Sequence, residues 1–203
     1  MPTVSTAPSG QITGLFSPFL EWYRNYKVSL CITTNGKSVL DIGCGRGAFL
    51  RALRSRGCQL EYTGLDTLAE CIEANRRTFP EGRFIVWDIE STDSLPVSGP
   101  FDYITLIAFL EHLKSPSEIL GKLSKVLSPK GLILVTTPRR GMEAFYQAGA
   151  RIGLFSREAN EQHTDLFFDE NSLREVGKSA DLVLLEYRRF LFGVNQLATF
   201  RKD

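Results

Sequence analysis

Between Val39 and Leu50 the sequence reads VLDIGCGRGAFL. Gly43, Gly45 and Gly47 form a GxGxG turn, where missing Cβ atoms permit positive φ and let a ligand approach the main chain. The pattern departs from the dinucleotide fingerprint GxGxxG, whose last place is held by Ala48, and no GK[ST] follows to make a Walker loop. Asp41 stands at the mouth of the turn. A carboxylate there repels a pyrophosphate and attracts an amino or positively charged group. Asp66, about 20 residues on, suits a pair of ribose hydroxyls. Asp88 suits the exocyclic amine of adenine, with the backbone amide of Ile89 offered to a ring nitrogen. S-adenosylmethionine, with an ammonium, a sulfonium and no phosphate, matches this set.

These residues need a scaffold that delivers them to one place. SVLDI, LEYTGLD, RFIVWD and FDYITLIAF read as strands, and GLILVTTP as a fifth after a turn at Pro129-Lys130-Gly131. Helices are expected from Phe16 to about Cys31, from Arg46 to Arg56, over LAECIEANRRTF, and from Pro116 to Leu127 with proline in the first turn. Asp169 is an N-cap candidate for ENSLREVGKSA. LVLLEYRRFLF and VNQLATFR read as two last strands around Gly193, joined too closely to pair other than antiparallel. Alternating strands and helices predict an α/β parallel sheet covered on both faces. Ligands in such sheets bind at the carboxyl ends of the strands. The glycine turn, Asp66, Asp88 and the segment after Thr105 all fall at such ends.

The 203 residues suit a single domain, and a formal net charge of +1 gives no electrostatic case for nucleic acid. No apolar run approaches the roughly 20 residues of a membrane span, and MPTVSTAPSGQITG lacks the pattern of a secretory signal. Cys31, Cys44, Cys58 and Cys71 form no CxxC, and only two histidines could join a metal site, so neither zinc nor any other metal is expected. A reduced, cytoplasmic protein is the simplest expectation.

VLDIGCGRGAFL, YTGLD, VWDIE, FDYITLIAFLEHL and SPKGLILVTTPRR, from about Ser38 to Arg140, together resemble a class I S-adenosylmethionine-dependent methyltransferase of the small-molecule, ubiquinone-pathway type. The resemblance implies a Rossmann-like, doubly wound seven-stranded sheet, mostly parallel with a final antiparallel hairpin. It implies one methyltransferase domain over 1–203. It places Asp41, Gly43, Gly45 and Gly47 around the amino-acid part of the cofactor, with Cys44 as small filler in the turn. Asp66, beside Thr67, would hold the ribose; Asp88 and Ile89 the adenine; Ile107 completes the set from the fourth strand.

Methyl transfer aligns nucleophile, methyl and sulfur in a line, and proximity supplies much of its rate. A hydroxyl acceptor also needs a base, a task that suits histidine. His112 lies in FLEHL after the fourth strand, where similar Glu-His pairs occur in enzymes of the ubiquinone-pathway type, and His163 lies in NEQHTDLFF, similar to a segment of those enzymes. Both are candidate catalytic residues; Glu111 reads equally as a helix-start charge. The N-terminal helix over 15–33 and an insertion over 139–168 would form a cap carrying Phe19, Trp22, Tyr23, Tyr146 and Phe155, with Arg24, Arg139 and Arg140 available to an acidic acceptor. LIAFLEHL lacks the Asn/Asp-Pro-Pro-aromatic signature of amino-group DNA or protein-glutamine methylation. The expected reaction is transfer from S-adenosylmethionine to a small-molecule or glycan hydroxyl. N- or C-methylation and a catalytically silent partner subunit stand as alternatives, and a nicotinamide dehydrogenase is disfavoured by Asp41.

Overall fold

The computed structural model describes residues 17–33, 35–91, 94–141 and 167–203. At the centre lies β1 (Ser38–Ile42), four of whose five residues are buried. It pairs in parallel with β2 (Glu61–Asp66) on one side and β4 (Phe101–Ile107) on the other. Outside β2 runs β3 (Arg83–Val86), and outside β4 runs β5 (Leu127–Pro138), both parallel to their neighbours. The sheet closes with β6 (Leu182–Phe190) and β7 (Asn195–Lys202), paired antiparallel as their short connection requires. The order is β3-β2-β1-β4-β5-β7-β6, so β7 inserts antiparallel between β5 and β6. Strand order reverses between β1 and β4, the place where doubly wound sheets bind ligands.

Alternation along the strands builds two cores. Leu40, Ile104 and Ile133 face α4 (Pro116–Val126) and α5 (Glu170–Lys178), with Leu120 and Leu173 fully buried there. Val39, Tyr103 and Leu134 face the other way, among Val28 of α1 (Ser17–Ser29), Leu53 of α2 (Ala48–Ser55) and Ile72 of α3 (Ala69–Thr78). The expected N-cap is present as a reciprocal box: Asp169 accepts from the Ser172 amide at 2.8 Å, and the Ser172 hydroxyl accepts from the Asp169 amide at 2.8 Å.

Some boundaries differ from the sequence expectation. α4 stops at Val126, and Leu127 already pairs with Phe101, so β5 begins before Pro129-Lys130-Gly131. The ladder then skips to Tyr103–Leu132, and the proline-glycine segment is taken up as a bulge within the strand. β3 ends at Val86 and β4 at Ile107, leaving Trp87-Asp88 and Ala108-Phe109 to turn over the sheet's end. After β4 comes a single 3-10 turn, Leu110–His112. The four cysteines are free. None of the described helices is long and apolar enough to cross a membrane. α1 packs chiefly on α2; most of the expected cap insertion, with His163, Tyr146 and Phe155, lies outside the described residues.

Candidate active site

A cleft of about 380 Å³ opens above the carboxyl ends of β1, β2, β3 and β4, within the size range of small-ligand pockets. The structure brings Gly43, Asp66, Thr67, Asp88, Ile89 and His112 together along its walls. Trp87 and Phe109, which carry no motif signal, complete it. These residues come from four separate segments, which meet because parallel strands all end on one edge.

Asp66 is the pivot. Its Oδ2 accepts from the Gly45 amide at 2.8 Å and its Oδ1 from the Leu68 amide at 2.9 Å. One carboxylate thus ties the glycine turn to the start of α3. A carboxylate offers about four lone-pair positions, so two backbone donors leave room for a diol. Asp88 is exposed, and its Oδ1 accepts from the Glu90 amide at 2.9 Å, which steadies the loop carrying Ile89. The indole N–H of Trp87 is buried without a hydrogen-bond partner. A buried orphan donor in a ligand-sized cleft fits a nucleoside, whose ring nitrogens and ribose oxygens accept hydrogen bonds.

Gly43, Gly45, Gly47, Cys44 and Asp41 surround the turn in unequal ways. Gly43 has φ 71°, and a Cβ there would run into the Phe109 ring. Gly47 has φ 74°, and its Cβ would lie 2.7 Å from the Phe79 ring and 2.9 Å from Asn75 Oδ1. Asn75, buried on α3, donates from Nδ2 to the Gly45 carbonyl at 2.7 Å. The sequence signals this clamp only by an amide in the inward stripe of a helix. Cys44 is buried behind the turn, and burial beside Asp41 and Asp66 raises its pKa, so it stays a thiol. Ile107 packs with the core on the α2 side rather than on the cleft wall.

Asp41 also lies behind the wall. It shares a face of β1 with Val39 and is 2% exposed. Thr105, directly opposite it on β4, donates from Oγ1 to Oδ1 at 2.6 Å, and the Tyr62 hydroxyl from β2 donates to Oδ2. Burial pushes its pKa up to about 6, against the lowering effect of both hydrogen bonds. Asp41 therefore knits β2, β1 and β4 together just below the glycine turn. Its effect on a ligand passes through the backbone it holds.

Around His112 the polar groups divide. His112 is exposed on the cleft wall, and its amide donates to the Phe109 carbonyl at 3.1 Å. Glu111 is 9% exposed, and burial pushes its carboxyl up to about 7. Among the described residues no cluster of His, Cys, Asp and Glu suits a metal.

A family model described as a methyltransferase domain matches residues 23–187. A ubiquinone biosynthesis O-methyltransferase of Idiomarina loihiensis is 33% identical over 113 residues, 54% of this chain and 46% of the relative. One from Xylella fastidiosa is 31% identical over 124 residues, 60% of this chain and 50% of the relative. The chain spans about half the length of the curated relatives it matches. Among solved structures, the mitomycin 7-O-methyltransferase superposes with TM-score 0.70 at 14% identity, over 91% of this chain and 54% of that one. The 1,6-didemethyltoxoflavin-N1-methyltransferase of Burkholderia thailandensis, solved with S-adenosylhomocysteine, gives 0.65 at 17%, over 90% and 78%. At such identities these two likenesses speak for the fold alone.

Proposed function

Because the chain belongs to the class I S-adenosylmethionine-dependent methyltransferases, we propose that it moves a methyl group from S-adenosylmethionine to a hydroxyl of a small-molecule or glycan acceptor. The observation that carries this reading is the Asp66 carboxylate. It is fixed by two backbone amides, keeps acceptor capacity for a ribose, and shares one cleft with Asp88, Ile89 and the orphan Trp87 donor. The adenosine lies along Asp88, Ile89 and Asp66, and the aminoacyl end points to the turn at Gly43–Gly47. The cofactor supplies a methyl already activated on a sulfonium. The chain's own work is to fix that sulfonium, to exclude water and to bring the acceptor oxygen into line.

His112, on the same wall, takes the hydroxyl proton as the methyl is transferred. Oxygen is favoured as the acceptor atom by the curated relatives, which are named O-methyltransferases. The fold itself does not choose, since it also serves the N1-methyltransferase. The test is calorimetry with S-adenosylmethionine, S-adenosylhomocysteine and NADH. Micromolar binding of the first two, with none of the third, is expected. Absence of binding by all three refutes the reading.

A further inference from the structure

The sequence puts a carboxylate, Asp41, where a positively charged ligand would meet it, and the fold takes it away. Asp41 is buried behind the turn, with its oxygens held by Thr105 and Tyr62. The carboxylates that do line the cleft have other work. Asp66 accepts from the Gly45 and Leu68 amides and keeps its remaining capacity for the ribose. Asp88 and Glu90 follow β3, where Glu90 Oε1 accepts from the Lys114 amide at 2.7 Å. Beside Gly43 the side chain on the cleft wall is Phe109.

Phe109 owes its place to a kink. Ala108, between β4 and the 3-10 turn, has φ 52°, a left-handed conformation that L residues enter at a cost. Its amide donates to the Thr136 carbonyl at 2.9 Å and to the Thr136 hydroxyl at 3.1 Å, which pins the kink to a fully buried residue of β5. The Phe109 ring then lies against Gly43, whose missing Cβ makes room for it. It is half-buried, packing on the core while it lines the cleft. Strain of this kind, held by surrounding bonds, clusters at ligand clamps.

We infer that Phe109 recognises the sulfonium of S-adenosylmethionine through its π face, and so separates the methyl donor from its product. The inference rests on the methyltransferase reading and adds a specificity-determining residue to it. In that reading the ribose lies at Asp66 and the aminoacyl end at Gly43–Gly47. The sulfur joins those two parts, which brings it beside the ring on Gly43. An aromatic quadrupole attracts a cation within about 6 Å of the ring centre, more strongly where water is excluded. Methyl transfer removes that cation. The sulfur–methyl bond breaks with its electron pair left on sulfur, a methyl–oxygen bond forms, and the acceptor proton goes to His112. The product sulfur is a neutral thioether, for which the ring has no charge-dependent attraction.

The test is calorimetry with S-adenosylmethionine and S-adenosylhomocysteine in parallel, and the ratio of the two affinities is the readout. Phe109→Leu removes the ring. Pentafluorophenylalanine, introduced at position 109 alone, keeps a ring of similar shape and reverses its quadrupole. A ring that only packs on Gly43 moves both affinities together and leaves the ratio unchanged. Recognition of the sulfonium lowers the ratio by about threefold to thirtyfold, the span of cation–π strengths expressed as affinity. A fall of at least threefold is expected with the fluorinated ring, and with leucine wherever that variant folds. A smaller fall with the fluorinated ring overturns the proposal, whatever leucine does. Failure of the methyltransferase reading looks different: the wild-type chain then binds neither ligand.

Discussion

Replacing Asp66 by alanine removes two things that can be measured apart. The first is structural. Asp66 accepts from the Gly45 amide at 2.8 Å and the Leu68 amide at 2.9 Å, and alanine frees both donors. The site is half-buried, so water repays part of the loss. Two charge-assisted bonds at a wet site come to about 1–2 kcal/mol of stability, below the ~1.5–3 kcal/mol each reaches in isolation. The second is functional. Two ribose hydroxyls lose a charged acceptor, worth about 2–3 kcal/mol together after the same discount. At about 1.4 kcal/mol per factor of ten, S-adenosylhomocysteine affinity drops roughly 30- to 150-fold. Calorimetry reads the affinity and urea unfolding the stability. Asp66→Asn is the partial case, since its single oxygen keeps one amide while its NH2 opposes the other. If Asp66→Ala stays folded and binds S-adenosylhomocysteine within threefold of wild type, Asp66 does not hold the ribose and the orientation of the nucleoside is wrong.

Asp41 gives a pH signature. Its pKa rises from 3.8 to about 6 on folding, so the folded state holds the proton more tightly than the unfolded one. The associated stability is fully present below pH 3.8 and lost as pH rises through about 6, on the order of 3 kcal/mol in all. Asp41→Asn is therefore expected to gain stability over wild type between pH 5 and pH 8 in urea unfolding; an equal difference at both pH values contradicts the buried carboxyl. Gly43→Ala places a Cβ against the Phe109 ring at φ 71° and should cost about 2–4 kcal/mol, read as a lower urea midpoint. A midpoint equal to wild type means that Phe109 moves freely. His112→Gln should lower turnover about 100-fold or more while S-adenosylhomocysteine affinity stays within threefold; unchanged turnover removes the histidine base.

Much of this protein is written locally. Apolar runs of strand length, helical spacings and turn residues each act within a few neighbours, so β1, the α3 helix and the Asp169–Ser172 cap are legible without coordinates. The glycine turn, Asp66 and Asp88 were legible too, because a parallel sheet sends every strand end to one edge. Partnership is another matter. Asp41 reads as facing a ligand until strand register sets Thr105 opposite it and brings Tyr62 within reach, which turns it into a buried tie beneath the turn. Asn75 reaches the Gly45 carbonyl only after α3 docks. The insertion of β7 beside β5 and the early start of β5 follow from pairing across the sheet, against a proline-glycine signal that locally says turn. Sequence fixes what each segment can form because backbone preference is short-ranged. Which polar atoms end up paired, and which stay open, depends on register and docking, and those are decided by the whole chain at once.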